Sequence, residues 1–200
     1  MFILSVFKDT VKIVPQNFRK SKNDALADEI NKKYANKVVH DVGLCISLHD
    51  ILEASEGFIH HSDGCSYVKV KFRLIVFRPF IGEVITGKIR SSSSEGVRVS
   101  LGFFDDILIP PALLQESTEF DQNEQVWVWR FDGNELFMDI DETIRLRVID
   151  EMFVDATPIP DAKNKLKSNE AAESKPVEPP YSLLCSIQED GLGLVSWWGG

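Results

Sequence analysis

The stretch from Gly82 to Leu114, GEVITGKIRSSSSEGVRVSLGFFDDILIPPALL, constrains the fold more than any other part of the chain. Val84 to Ile89 has the composition of a β-strand, the polar run Arg90 to Glu95 that of a turn, and Gly96 to Leu101 that of a second strand. In the second strand Val97, Val99 and Leu101 alternate with Arg98 and Ser100, the period of a half-buried antiparallel pair. Gly87 and Gly96 fall where a coiled strand or tight turn needs a residue without Cβ. A third apolar run, Ile107-Leu108-Ile109, stops at Pro110-Pro111, because proline cannot donate to a ladder. Strand, turn, strand and a short proline-stopped strand form the opening meander of a small β-barrel of the OB type. Such barrels bind single strands of nucleic acid or other proteins and rarely perform chemistry alone.

The residues before this meander predict a separate α+β unit. Residues 2–14 read as one or two strands ended by Pro15. Ser21 or Asn23 can cap a helix whose Leu26, Ile30 and Tyr34 recur every four residues, with acids early, lysines late and Asn36 as a stop. Residues 38–52 read as a strand bent at Gly43, and Glu53 to Gly64 as a polar hairpin loop. Tyr67 to Phe77 is the clearest strand, with Val68, Val70, Phe72, Leu74 and Val76 alternating with Lys69, Lys71, Arg73 and Ile75. Its basic face is either solvated or a contact surface for an acidic partner. One helix on an antiparallel sheet is the expected class, over residues 1–80, with a barrel unit over 81–200.

Later in the barrel, strands are predicted at Gln125 to Trp129, Leu136 to Met138 and Thr143 to Ile149. From Thr157 to Pro180 large apolar residues almost vanish and the segment reads as a disordered insertion. Order is expected to return in a terminal hairpin, Tyr181 to Ile187 and Leu192 to Trp198. Adjacent Trp197 and Trp198 would then point to opposite faces of a strand, so one of them needs a second surface to cover it.

Charge narrows the function. Residues 1–80 carry 12 Lys and Arg against 9 Asp and Glu, whereas residues 81–155 carry 6 against 16. Tight, non-specific binding to a phosphate backbone requires many cations, so RNA contact by this barrel is expected to be local and weak. Lys88, Arg90 and Arg98, followed by Phe103 and Phe104, are the residues best placed for it, since OB barrels use these strands and aromatic rings for single strands. Lys69, Lys71 and Arg73 with Trp197 and Trp198 are candidates for protein contact.

Other chemistry lacks support. Asp105-Asp106 and Asp139 to Glu142 read as acidic turns without calcium-loop spacing, and His60-His61 has no second ligand pair. Ser91 to Ser94 reads as a modifiable turn with no GK[ST] to make it a phosphate loop. No nucleophile–base motif stands out. Cys45, Cys65 and Cys185 are odd in number and widely spaced, which suits a reducing compartment. No apolar run approaches the roughly 20 residues of a membrane span.

The segments VGLCISLHDI, VKFRLIVFRPFIGEVITGKI, GVRVSLGFFDDILIPPALL, EQVWVW, IRLRVIDEMFVD and GLGLVSWW together resemble the larger stalk subunits of eukaryotic RNA polymerase III. That family is paralogous to the RNA polymerase II stalk subunit and the archaeal RpoE-like subunit. The resemblance implies a truncated RNP-like tip domain followed by an S-one-type OB barrel. It also implies a non-catalytic, nuclear role without cofactors in initiation at tRNA, 5S rRNA and other small RNA genes. The implied partners are a smaller stalk subunit, the polymerase core, initiation factors and, weakly, single-stranded RNA. A free single-stranded RNA-binding OB factor, or an OB module accompanying a nuclease, is the alternative from the barrel alone.

Overall fold

The computed structural model describes residues 1–154 and 179–198. It divides into two compact units, Met1–Pro79 and Phe80–Gly200.

The first unit is a five-stranded antiparallel sheet with one helix. Strands β1 (Phe2–Ile13), β2 (Lys37–Val39), β3 (Gly43–Ala54), β4 (Phe58–Ile59) and β5 (Ser66–Phe77) take the order β1-β5-β3-β2, with β4 also on β5. β1 and β5 pair along their whole length, from Phe2 opposite Phe77 to Ile13 opposite Ser66. This register puts Phe7, Asp9, Val11 and Ile13 on the same face as Val68, Val70, Phe72, Leu74 and Val76. Helix α1 (Lys22–Tyr34) covers that face with Ala25, Leu26 and Ile30. Ser21 is the cap, its Oγ accepting the Asp24 N–H at 3.2 Å. Tyr34, the last of the apolar stripe, sits 5.7 Å from both Phe7 and Phe72, and its hydroxyl donates to Asp9 at 2.9 Å.

Two local expectations need correction here. Residues 38–52 form a hairpin rather than one bent strand, because His40 to Val42 make a turn with Asp41 at φ 60°. The loop expected at Glu53 to Gly64 is shorter, since β3 runs on to Ala54 and Phe58–Ile59 pair with β5.

The second unit is built on a closed barrel. Strands β6 (Val84–Ser93), β7 (Gly96–Ser100), β8 (Ile107–Ile109), β12 (Thr143–Phe153) and β13 (Tyr181–Ser186) follow the ring β13-β8-β7-β6-β12, and β12 pairs back onto β13. Closure removes the free edges. β8 and β13 pair in parallel, and β12 shifts register between Val148 and Asp150, so it can serve two partners along its length. Ile89, Val97, Val99, Ile109, Ile144, Leu146, Val148, Leu183 and Cys185 are buried inside. Gly96 is obligatory: at φ 136°, an added Cβ would lie 2.2 Å from the Ile109 carbonyl oxygen.

Between β8 and β12 the chain inserts a separate three-stranded sheet of β9 (Thr118–Asp121), β10 (Val126–Phe131) and β11 (Asn134–Phe137), in the order β11-β10-β9. Asp132 and Gly133, both at positive φ, make the two-residue turn that a hairpin's twist prefers.

The structure corrects the barrel reading in two places. The serine run is mostly strand: Ser91, Ser92 and Ser93 pair with Arg98, Val97 and Gly96, leaving Ser94 and Glu95 as the turn. Only Gly193–Leu194 (β14) of the expected last strand is extended, and Val195–Trp198 form a 3-10 turn. Of the insertion expected at 157–180, residues 157–178 lie outside the described residues.

Candidate functional site

On β6, Ile85 and Ile89 turn into the barrel, which leaves Thr86, Lys88 and Arg90 outside. Register then decides what surrounds them. Lys88 lies opposite Ser100 on β7 and Thr143 on β12, and Thr86 lies opposite Arg145. Thr86, Lys88, Ser100 and Thr143 border a shallow depression of about 710 Å³ that Lys88 and Arg90 share with Asp105 and Asp141. Arg90 is ion-paired with Asp105, and Asp105 also accepts the Ser100 hydroxyl at 2.5 Å. The cation at Arg90 is therefore largely offset, whereas Lys88 makes no ion pair among the described residues.

Arg98 is exposed on the outer face of β7 and borders a neighbouring groove with Asp106, Leu108 and Met152. Phe103 is exposed in the loop after β7. Phe104 is not available for stacking on a base. It is buried against Tyr181, ring centroids 5.5 Å apart, because adjacent residues of that loop face opposite ways. Lys88, Arg90, Arg98 and Phe103 thus share the outer surface, and Phe104 belongs to the core.

Arg145 and Arg147 were readable as the outward positions of β12, but their neighbours were not. β12 lies beside β6, so both guanidiniums join the face that carries Lys88. Arg145 donates to the Gly191 carbonyl at 3.2 Å and Arg147 pairs with Glu189 at 2.8 Å. The Arg147 Nε is buried without a hydrogen-bond partner.

In the first unit, Lys69, Lys71 and Arg73 all occupy the face of β5 away from the helix. Lys71 pairs with Glu53 at 3.3 Å, and Arg73 grips Asp50 with two hydrogen bonds, 2.7 Å from Nε and 2.5 Å from Nη2. Lys8 stands directly opposite Lys71 on β1, a like-charge pairing visible only once the register is known. At the far end of the same sheet, Phe58 and Ile59 of β4 are 55% and 66% exposed, with Phe18, before the helix, close to half exposed. An apolar pair inside a polar loop was the available signal for them. The start of β1 exposes a second apolar set, Phe2, Leu4 and Val6.

Arg73 holds the Asp50 carboxyl down to about 2, and His49 assists. Unfolded, that carboxyl titrates near 3.9. The pair therefore supports folding above about pH 4 and loses its contribution as pH falls towards 2. Asp50→Asn should flatten the acid limb of the first unit's stability between those values, read by amide hydrogen exchange at acid pH. An acid limb identical to the parent's would show that the pair plays no part.

At the C-terminus, Trp197 lies over Gly193 and 5.0 Å from Trp129, so the inserted sheet supplies its cover. Trp198 stays exposed, its indole N–H donating to the Leu192 carbonyl at 2.8 Å. The two rings differ in environment because a 3-10 turn, not strand alternation, positions them. All three thiols are buried, and desolvation pushes Cys45 and Cys185 up to about 11 and about 12.

Comparison with known proteins accords with this architecture. Residues 83–198 match the family described as RNA polymerase III subunit Rpc25, and residues 8–64 match the SHS2 domain found in N terminus of Rpb7p/Rpc25p/MJ0397. The chain is 50% identical to the DNA-directed RNA polymerase III subunit RPC8 of Bos taurus, over 99% of this chain and 98% of that protein. Identity to the Saccharomyces cerevisiae RPC8 is 41%, over 99% of this chain and 100% of that one. The Rpo7 subunit of Sulfolobus acidocaldarius DNA-directed RNA polymerase is 29% identical over 64% of this chain and 70% of its own. Matching over more than half its length, and alike from end to end to full-length relatives, the chain belongs to the Rpc25/RPC8 family of RNA polymerase III subunits.

Proposed function

We propose that the chain is the larger stalk subunit of RNA polymerase III, a nuclear, non-catalytic component acting in initiation at tRNA, 5S rRNA and other small RNA genes. The observation that carries this is the union of family membership along the whole chain with a closed barrel joined to a sheet-and-helix unit. The sheet unit exposes two apolar sets at opposite ends of β1, a strand of 12 residues and so about 40 Å long. Two partners account for two such patches: the polymerase core at Phe18, Phe58 and Ile59, and the smaller stalk subunit along Phe2, Leu4 and Val6. Affinity purification of the tagged chain from nuclear extract tests the assignment. Polymerase III and one stoichiometric small partner should co-purify; recovery of the chain alone with RNA would make it a free OB factor.

The barrel's outer face is the RNA contact in this reading, with Lys88 and Arg98 touching phosphates and the exposed Phe103 ring meeting a base. So few cations predict a shallow salt dependence. Lys88→Ala with Arg98→Ala should lower the slope of log affinity against log salt by about 1.4, at roughly 0.7 per phosphate on a single strand. Both side chains are exposed, so the melting temperature should not move. An unchanged slope would place the RNA elsewhere and leave this face to protein.

A further inference from the structure

Strand β10 of the inserted sheet, residues 115–117, residues 188–190 and the C-terminal turn border a cleft of about 420 Å³ that the RNA face does not include. Among mostly polar lining residues it presents three aromatic rings, Trp129, Phe131 and Trp198, with Trp197 packed behind Trp129. Trp129 sits 5.0 Å from Phe131 on one side and 5.0 Å from Trp197 on the other, and both Phe131 and Trp198 present exposed ring surface to the opening. Trp198 cannot swing freely, because its indole N–H is bonded to the Leu192 carbonyl at 2.8 Å.

The rim is acidic. Glu116, Glu189 and Asp190 border the cleft, and Arg130 is the cation among the lining residues. Arg130 is already held by Glu119 at 2.8 Å and Glu135 at 3.3 Å, while Glu189 has Arg147. Glu116 and Asp190 form no ion pair among the described residues. The lining also includes Gln115, which is 8% exposed; its Nε2 donates to the Leu192 carbonyl, but its buried Oε1 has no hydrogen-bond partner. Buried acceptors are rarely left unpaired in folded proteins. Gln115 thus braces the floor of a cleft that combines aromatic rings with an acidic rim.

From these features we propose that the cleft takes an arginine side chain carried on an extended segment of a protein partner. A guanidinium is planar and stacks on aromatic faces. It carries five donors, enough for the carboxylates of Glu116 and Asp190 together. A lysine ammonium supplies charge without the flat face. A nucleotide base would suit the rings, but its phosphate would meet Glu116 and Asp190 with no uncommitted cation in the lining.

The four indole N–H resonances of the full chain, labelled with nitrogen-15 at tryptophan, provide the test. Trp127 is the internal reference: it is buried, and its indole donates to the Ser93 carbonyl at 2.9 Å. Titration with the blocked peptide Gly-Ser-Arg-Ser-Gly, to millimolar concentration, should shift Trp129 and Trp198 saturably and leave Trp127 in place. The same peptide with citrulline, which keeps the shape and removes the charge, should give no saturable shift. Glu116→Gln with Asp190→Asn, both on exposed loop positions, should weaken arginine-peptide binding at least fivefold with the Trp127 resonance unmoved. The proposal fails if the arginine peptide leaves Trp129 and Trp198 unshifted, if citrulline serves equally, or if the double variant binds as the parent does. Saturable displacement of the peptide by oligouridylate, with larger shifts at the same two indoles, would assign the cleft to RNA instead.

Discussion

Tyr181→Ala is expected to destabilise the barrel unit by about 3–5 kcal/mol, the range for deleting a fully buried aromatic ring. Tyr181 is 0% exposed. It opens β13, and its ring stacks on Phe153 at 4.5 Å and packs against Phe104 at 5.5 Å. β13 closes the barrel by pairing with β12 on one side and β8 on the other, and the parallel contact with β8 consists of only two register positions, Leu183 with Ile107 and Leu184 with Leu108. So short a ladder relies on side-chain packing to stay shut. Tyr181→Phe keeps the ring and loses the hydroxyl's 3.3 Å bond to Glu151, which should cost about 1 kcal/mol or less. The four tryptophans all lie between Trp127 and Trp198, so tryptophan fluorescence during denaturant unfolding reports the barrel unit alone. A Tyr181→Ala loss no larger than that of Tyr181→Phe would mean that the ring does not hold β13 in place.

Much of this fold could be read from local pattern. The alternation of Val68 through Val76 marked the central strand and its buried face, and Ser21 with Leu26, Ile30 and Tyr34 marked the helix and the side it buries. Capping and periodicity are properties of neighbours along the chain, so they are visible without the fold. Register is not. Nothing local says that Lys8 stands opposite Lys71, or that Arg145 joins the face of Lys88, because each depends on which strands meet and at what offset. The serine run was misleading for a related reason: small polar residues suit turns, yet here the pairing with β7 extends through Ser93. Phe103 and Phe104 are indistinguishable by composition, and only the position of Tyr181 sends one inward. Trp197 and Trp198 are set apart by a 3-10 turn and not by a strand period, and the Trp197 ring rests on Gly193, whose φ is 97°.

Phe58→Ser with Ile59→Ser should weaken assembly with the polymerase core by at least about 100-fold while leaving the chain folded. Both side chains are more than half exposed, so their loss removes little from the core. Phe58 stacks on Tyr67 at 5.7 Å, a contact worth about 1 kcal/mol at most. Their placement is nevertheless well fixed. Both backbones pair with Tyr67 and Ser66 on β5, and the loop that follows is tied down by Asp63, which accepts from the Tyr67 hydroxyl at 2.8 Å and from Lys12 at 2.9 Å. An apolar pair held rigidly outward is what an anchor requires, since little entropy is lost when a partner's pocket closes around it. Anchors of this kind typically contribute about 2 kcal/mol or more each, and even incomplete additivity over two of them gives the stated factor. The measurement is co-purification of the core with the variant, beside its binding to the smaller stalk subunit, which the Phe2 to Val6 patch should preserve. A variant that keeps the core but loses the small partner would exchange the two assignments, and one that keeps both would remove the loop from either interface.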